Sequence, residues 1–272
     1  MIARVVRHLL TLLLLAAAQA LAQAPQTVFL DELTSSELRD QVRAGRRTII
    51  VPIGGTEQNG PHMVLGKHNV RVKVLAEKIA LALGDALVAP VMAYVPEGGI
   101  SPPTSHMRFP GTISIPDQTF QQILEYAARS LKLHGFRDIV FLGDHGGYQK
   151  DEQAVADRLN REWASAPTRV HALPEYYRAA AIAYAEALRQ RGYPNDEIGT
   201  HAGLADTSLA LAIDPRLVRR DFLRSARAPG VDRASEGVTG DPRRASAELG
   251  QVGVDAIVAQ TVDAIKRATA RR

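Results

Sequence analysis

Two short runs, Thr48 to Ile53 (TIIVPI) and Asp138 to Leu142 (DIVFL), are apolar at successive positions, so both faces of each need cover. A strand with one solvated face would alternate. These read instead as interior strands of a parallel sheet with helices above and below. The neighbouring segments agree: Val72, Leu75, Ala76, Ile79 and Leu83 recur at helical spacing within Asn69 to Leu83, as do Leu124, Ala127, Ala128 and Leu131 within Asp117 to Leu133. Ala86 to Ala93 and Arg169 to Leu173 read as further strands, and Lys150 to Trp163 as a helix. Strands alternating with helices specify an α/β fold, a three-layer sandwich around a mostly parallel central sheet. Ligands bind beyond the carboxyl ends of such strands, here the loops after Ile53 and Leu142.

The chain begins MIARVVRHLLTLLLLAAAQALAQA, with Arg4 and Arg7 before an apolar run and small residues after it. That is the three-part pattern of a secretory signal peptide, and the run is short for a membrane span. Residues 1–22 are assigned to the signal, with Ala24 as a second cleavage position, and 27–272 to one domain. A buried N-terminal helix is the competing reading, which the flanking arginines and the Gln/Pro-rich stretch disfavour. The protein is therefore expected to be exported: periplasmic in a Gram-negative cell, otherwise secreted, with no stable membrane span once the signal is gone. About 250 residues then remain, enough for one large core and awkward for two. The formal charge of +4 falls to +2 with the loss of Arg4 and Arg7. The basic residues are interspersed with acidic ones, so no nucleic-acid partner is indicated. With no cysteine in the chain, disulfides, thiolate ligands and a cysteine nucleophile are excluded.

Ionisable residues crowd into three loops. Gly54-Gly55-Thr56-Glu57-Gln58-Asn59-Gly60-Pro61-His62 continues to Gly66-Lys67-His68-Asn69 after the first strand. Gly143-Asp144-His145-Gly146-Gly147 follows the second strand, and Thr200-His201-Ala202-Gly203 leads to Asp206-Thr207-Ser208, a helix start with Asp206 or Thr207 near the cap. A lone loop histidine is more often structural than functional, and His8, His134 and His171 take that reading. His62, His68, His106, His145 and His201 share glycine- or proline-rich loops on one rim, which core packing does not explain. Imidazoles beside carboxylates are the usual ligand set of hydrolytic zinc, manganese or iron sites.

The run Pro52 to His62 resembles the opening motif of the creatininase family, and three later segments match in order. They are Ser105-His106 with Phe109-Pro110-Gly111-Thr112, then Gly143 to Gly147, then His201-Ala202-Gly203 with Asp206-Thr207-Ser208. The resemblance covers Thr48 to Ile213. It implies metal-dependent hydrolysis of an amide-type C–N bond in a small molecule, as in creatinine ring opening, and a homo-oligomer. Glu57 and His145 match ligands of a first metal, His201 a proton-shuttling histidine, and Asp206 a glutamate that completes a second metal site.

Two departures change that picture. Asn59 stands where the family has a second-metal histidine, and His68 where it has an aspartate bridging two metals. An imidazole cannot bridge two cations as a carboxylate does. The residues therefore favour one divalent ion, zinc before manganese or iron, held by Glu57, His68 and His145 with Asp206 in reach. Asp144 is a candidate for orienting a ligand or acting as base, although a loop aspartate more commonly hydrogen-bonds its own backbone. Asn59, His62, His106 and Glu97 are candidates for lining the substrate pocket. Two other readings stay open: a catalytically altered family member acting as an extracytoplasmic ligand-binding protein, and an iron(II) site for oxygen chemistry. Ala245 to Arg272 reads as a terminal helix packed on the sheet or on a neighbouring subunit. Ala226 to Arg243 reads as an irregular loop, over the site or simply on the surface.

Overall fold

The computed structural model describes residues 27–225 and 235–270. The signal assigned to 1–22, the first part of the 226–243 loop and Arg271-Arg272 lie outside them. Four strands, β1 (Thr48–Ile53), β2 (Ala86–Val88), β3 (Asp138–Gly143) and β4 (Arg169–Ala172), form a sheet in the order β2-β1-β3-β4, every pair parallel. The helices that cover it are α1 (Ser35–Arg43), α2 (Lys67–Leu83), α3 (Asp117–Leu133), α4 (Gln149–Glu162), α5 (Pro174–Arg178), α6 (Tyr184–Arg189), α7 (Leu204–Ile213) and α8 (Ala247–Thr269).

β1 and β3 are buried at every position, and their side chains divide between two cores by the two-residue period of a strand. Ile50, Val140 and Leu142 pack with Val72 and Leu75 of α2, Leu209 of α7 and Ile257 of α8. Ile49, Val51, Ile53, Ile139 and Phe141 pack with Phe120 and Leu124 of α3 and Val155 and Leu159 of α4. The expected three-layer α/β sandwich is thus present. In the register of β1 and β3, Ile53 lies opposite Gly143, so the two polar loops leave the sheet side by side.

Some boundaries differ from expectation. The strand expected over Ala86 to Ala93 ends at Val88; Pro90 interrupts it, and Met92 rejoins through its N–H to Pro52 O at 2.9 Å. α7 begins at Leu204 with Gly203 at its cap, placing Asp206 in the first turn, where its Oδ2 accepts from the Ala202 N–H at 3.0 Å. The terminal helix packs within its own chain: a Cβ on Gly250 would lie 1.9 Å from Ser208 O, so only glycine allows α8 to approach α7 so closely. The stretch between Leu173 and Thr200, to which no element was assigned, holds α5 and α6 joined by a π-helical turn at Ala179–Ala183. Among the described residues no helix is long and apolar enough to cross a membrane.

Candidate active site

Glu57 leaves β1 through Gly54-Gly55 and is fully buried. Gly55 has φ +151, and a Cβ there would meet Glu97 Oε1 at 2.4 Å, so the glycine admits Glu97 from the irregular segment before α3. His106 comes from the same segment. Asp144 and His145 follow β3, and the first turns of α2 supply Lys67, His68 and Arg71. The link before α7 supplies His201 and, beside it, Ala202 in the left-handed region at φ 54, an uncommon conformation for a residue with a Cβ.

Glu57, Glu97, His106 and His145 each bring one ligand-type atom to within 4.8 Å of all the others. His106 Nε2 lies 3.1 Å and His145 Nε2 3.5 Å from Glu57 Oε2, and His145 Nε2 lies 3.7 Å from Glu97 Oε2. Yet Glu57 Oε2 and both oxygens of Glu97 are buried without a hydrogen bond. In the absence of a cation these oxygens face only each other and the two imidazoles. Burial, and then the charge of Glu57, push Glu97 up to about 9, so without a cation the pair keeps a proton on Glu97. Burial acts on Glu57 in the same direction, but His68 and Lys67 outweigh it and hold that carboxyl well below its ordinary range. Burial lowers His106, and lowers His145 to about 3, so both rings are neutral at pH 7 and keep a lone pair. Buried oxygens without donors beside neutral imidazoles are a donor set that fits a divalent cation.

Across the cavity the charges are compensated. Arg71 Nε donates to Asp144 Oδ2 at 2.8 Å and its Nη1 to Asp206 Oδ1 at 2.5 Å, while the Lys67 ammonium donates to Asp206 Oδ2. Tyr176 completes the set, donating to Asp144 Oδ1 at 2.7 Å. Burial alone would raise both aspartates; Arg71 at Asp144, and Lys67 with Arg71 at Asp206, hold them below the usual carboxylate range. Two cations at the start of α2 oppose its dipole, and this pairing offsets the conflict.

His106 and His145 of the first group, Lys67, Arg71, Asp144 and Asp206 of the second, and His201 line a cavity of about 560 Å³, with Glu57 and Glu97 buried behind its wall. The structure regroups the residues expected there. Glu57 and His145 stand in the four-residue cluster, joined by Glu97 and His106, which were expected to touch substrate. His68 and Asp206 line the cavity but lie outside the cluster. His68 Nε2 is spent on Glu57 Oε1 at 2.7 Å and its Nδ1 on Asp144 Oδ2 at 2.6 Å, leaving no lone pair for a cation. Asp144 has both oxygens engaged by Tyr176, Arg71 and His68, so it positions its neighbours. His62, fully buried against Thr207 Oγ1 at 3.0 Å, and Asn59 are absent from the cavity wall. His201 faces the cavity with Nδ1 3.8 Å from Glu57 Oε1, and burial lowers it to about 4. The sequence reading missed Gln58, whose Nε2 lies 3.1 Å from both His106 Nδ1 and His201 Nε2. It also missed Lys67 and Arg71. Thr239, from the far end of the 226–243 loop, pairs with His201 and lines the cavity.

Comparison with known proteins settles the family. Its model, described as creatinine amidohydrolase, matches residues 31–265. The chain belongs to the creatininase family. It is 30% identical to the mycofactocin precursor peptide peptidase of Mycobacterium tuberculosis over 87% of this chain and 90% of that one. To the creatinine amidohydrolase of Pseudomonas putida it is 26% identical over 89% and 97%. A solved manganese creatininase matches with a TM-score of 0.73 and 28% identity, over 89% of this chain and 99% of that one. A creatininase mutant of Zn-Zn type gives 0.72 and 28% over 89% and 98%. The protein is, with its family, a metal-dependent hydrolase acting on C–N bonds. Within the creatininase frame its two departures are built into the fold: the Asn59 Nδ2 donates to the Glu57 carbonyl at 2.9 Å and the Val64 carbonyl at 3.2 Å, while its Oδ1 has no partner, and His68 ties Glu57 to Asp144.

Proposed function

We propose that the chain is an exported hydrolase that holds one divalent ion, zinc by preference, between Glu57, Glu97, His106 and His145, and opens an amide bond in a small molecule. The observation that carries this reading is the set of buried carboxylate oxygens of Glu57 and Glu97 that lack donors beside two neutral imidazoles. When bound, such an ion lowers the pKa of water to about 7 and polarises a carbonyl. The chain's residues do the rest. His201, neutral and on the cavity wall, takes a proton and returns it to the departing nitrogen. Gln58 fixes both His106 and His201, so ligand and proton carrier are oriented by one amide. His68, Asp144 and Arg71 hold Glu57 from behind, which leaves its Oε2 facing the two imidazoles.

One rearrangement accompanies loading. Nδ1 of His145 accepts the Gly147 N–H at 3.0 Å, a contact suited to a proton on Nε2. Were an ion held by His145 through Nε2, the ring would carry its proton on Nδ1 instead and give up the Gly147 contact.

The Arg4/Arg7 leader supports export, and a homo-oligomer is expected from the family; fractionation and sedimentation check these. The test of the site is metal content with amide turnover. One ion per chain, lost together with hydrolysis in Glu57→Gln and His145→Ala, is the expected result. Two ions per chain, or turnover that survives both substitutions, sinks the reading.

A further inference from the structure

The helix formed by α5, the π-helical turn and α6 has two unlike faces. Tyr176, Ala179, Tyr184 and Leu188 enter the core. Tyr177, Ala180, Ala181 and Ala185 face the cavity, where Ala205 and Leu209 of α7 continue the wall. A π-helical turn inside a helix is rare and is found mostly at functional sites, because it widens the backbone and re-aims the residues around it. Here it presents methyl groups rather than long side chains. The 560 Å³ cavity lies in the range that holds a drug-sized ligand, well beyond one small ring. At its polar end His106 and His145 reach the wall, with the fully buried Glu57 and the buried Glu97 behind them.

We infer that the alanine face is a substrate subsite: the amide opened at the four-residue cluster carries an aliphatic chain of several carbons, which lies along Ala181 and Ala185 against Leu209. This rests on the metal-hydrolase reading and goes beyond it by naming the substrate class. The polar end then orients the scissile group, and the methyl-lined wall selects by chain length. Each methylene taken from water into such a wall strengthens binding about fourfold.

The experiment titrates the zinc-loaded full chain with two probes that share a metal-chelating head, acetohydroxamate and hexanohydroxamate. The expected result is that the longer probe binds about a hundredfold tighter or more. In Ala181→Phe and Ala185→Phe, which fill the wall, the ratio falls below about tenfold. Equal affinities in the unaltered protein overturn the subsite while leaving the metal site standing, since both heads have bound. A ratio unchanged by both substitutions overturns its placement on this helix. If neither probe binds, the metal-hydrolase reading falls and takes the subsite with it.

Discussion

The two sides of the cavity hold similar densities of buried charge and solve the problem in opposite ways. Around Arg71, two aspartates meet two internal cations, and nearly every polar atom has a partner. Around Glu57, two carboxylates meet two neutral imidazoles, and three oxygens have none. A buried acceptor without a donor is costly, so the second side is stable only with a proton or an added cation. The first side belongs to the fold and the second to the ligand. Substitutions on the two sides should therefore fail differently.

The largest effect is expected from Arg71→Met. It strands Asp144 and Asp206 in a buried setting, and breaking one partner of such a network costs about 3–5 kcal/mol. Urea unfolding should show that loss with or without zinc. A variant that unfolds at the wild-type midpoint would mean the network is not holding the fold, and the contrast would collapse. On the opposite side, Glu97→Gln should keep its stability in the metal-free form, because the glutamate it replaces is already protonated there, and should lose metal binding.

Metal removal ranks next. A cation present at a hundred times its dissociation constant stabilises by about 2.7 kcal/mol, which for a domain of this size is roughly 5–10 °C in Tm. Chelation should lower the wild-type Tm by that amount and leave His145→Ala unchanged. A chelator-sensitive Tm in His145→Ala would place the ion elsewhere.

Gln58→Ala probes the hinge between orienting groups and the ligands they orient. Partners of ligating histidines typically contribute 10- to 100-fold to metal affinity or activity. Because Gln58 touches both His106 and His201, zinc affinity and turnover should fall together. A drop in turnover alone would show that His106 is held without it.

Parts of this contrast were legible in the chain and parts were not. β1, β3 and α3 follow from periodicity almost to the residue, because a doubly buried strand or an amphipathic helix repeats its constraint along its length. The loops that carry Glu57, His145 and His201 follow from the parallel-sheet rule. Glu97 and His106 as partners of Glu57 do not: they arrive on a long irregular segment whose path has no period, and their entry depends on Gly55. His68 looked like a ligand because its neighbours were unknown; two carboxylates take its nitrogens. Lys67 and Arg71 took no assignment from the sequence, since a lysine or arginine on a helix carries no mark of the buried partner it will meet. Arg71 did leave a trace, since it falls on the same helical face as His68, Val72 and Leu75, all of them buried.

The most specific effect concerns a single proton on Glu97. Its carboxyl is raised from the ordinary 4.5 to about 9, first by burial and then by Glu57. Below pH 4.5 it is protonated in both folded and unfolded chains. As pH rises further the unfolded chain releases the proton while the folded one retains it, so the Glu97 contribution to metal-free stability declines until about pH 9; the histidines lowered by burial act the other way below 6.5, and the decline stands clear of them above that. The slope for one proton is at most about 1.4 kcal/mol per pH unit. Glu57, whose carboxyl is lowered, contributes the opposite dependence below 4.5 and does not obscure this window. Glu97→Gln should flatten the decline between pH 7 and 9. Loading zinc at pH 7 should release about one proton per ion in the wild type, read by calorimetry in buffers of different ionisation enthalpy. No release in the wild type would mean that Glu97 is already ionised without the metal. The cations that hold Glu57 down would then reach Glu97 as well, and the two halves of the cavity would differ less than their geometry implies.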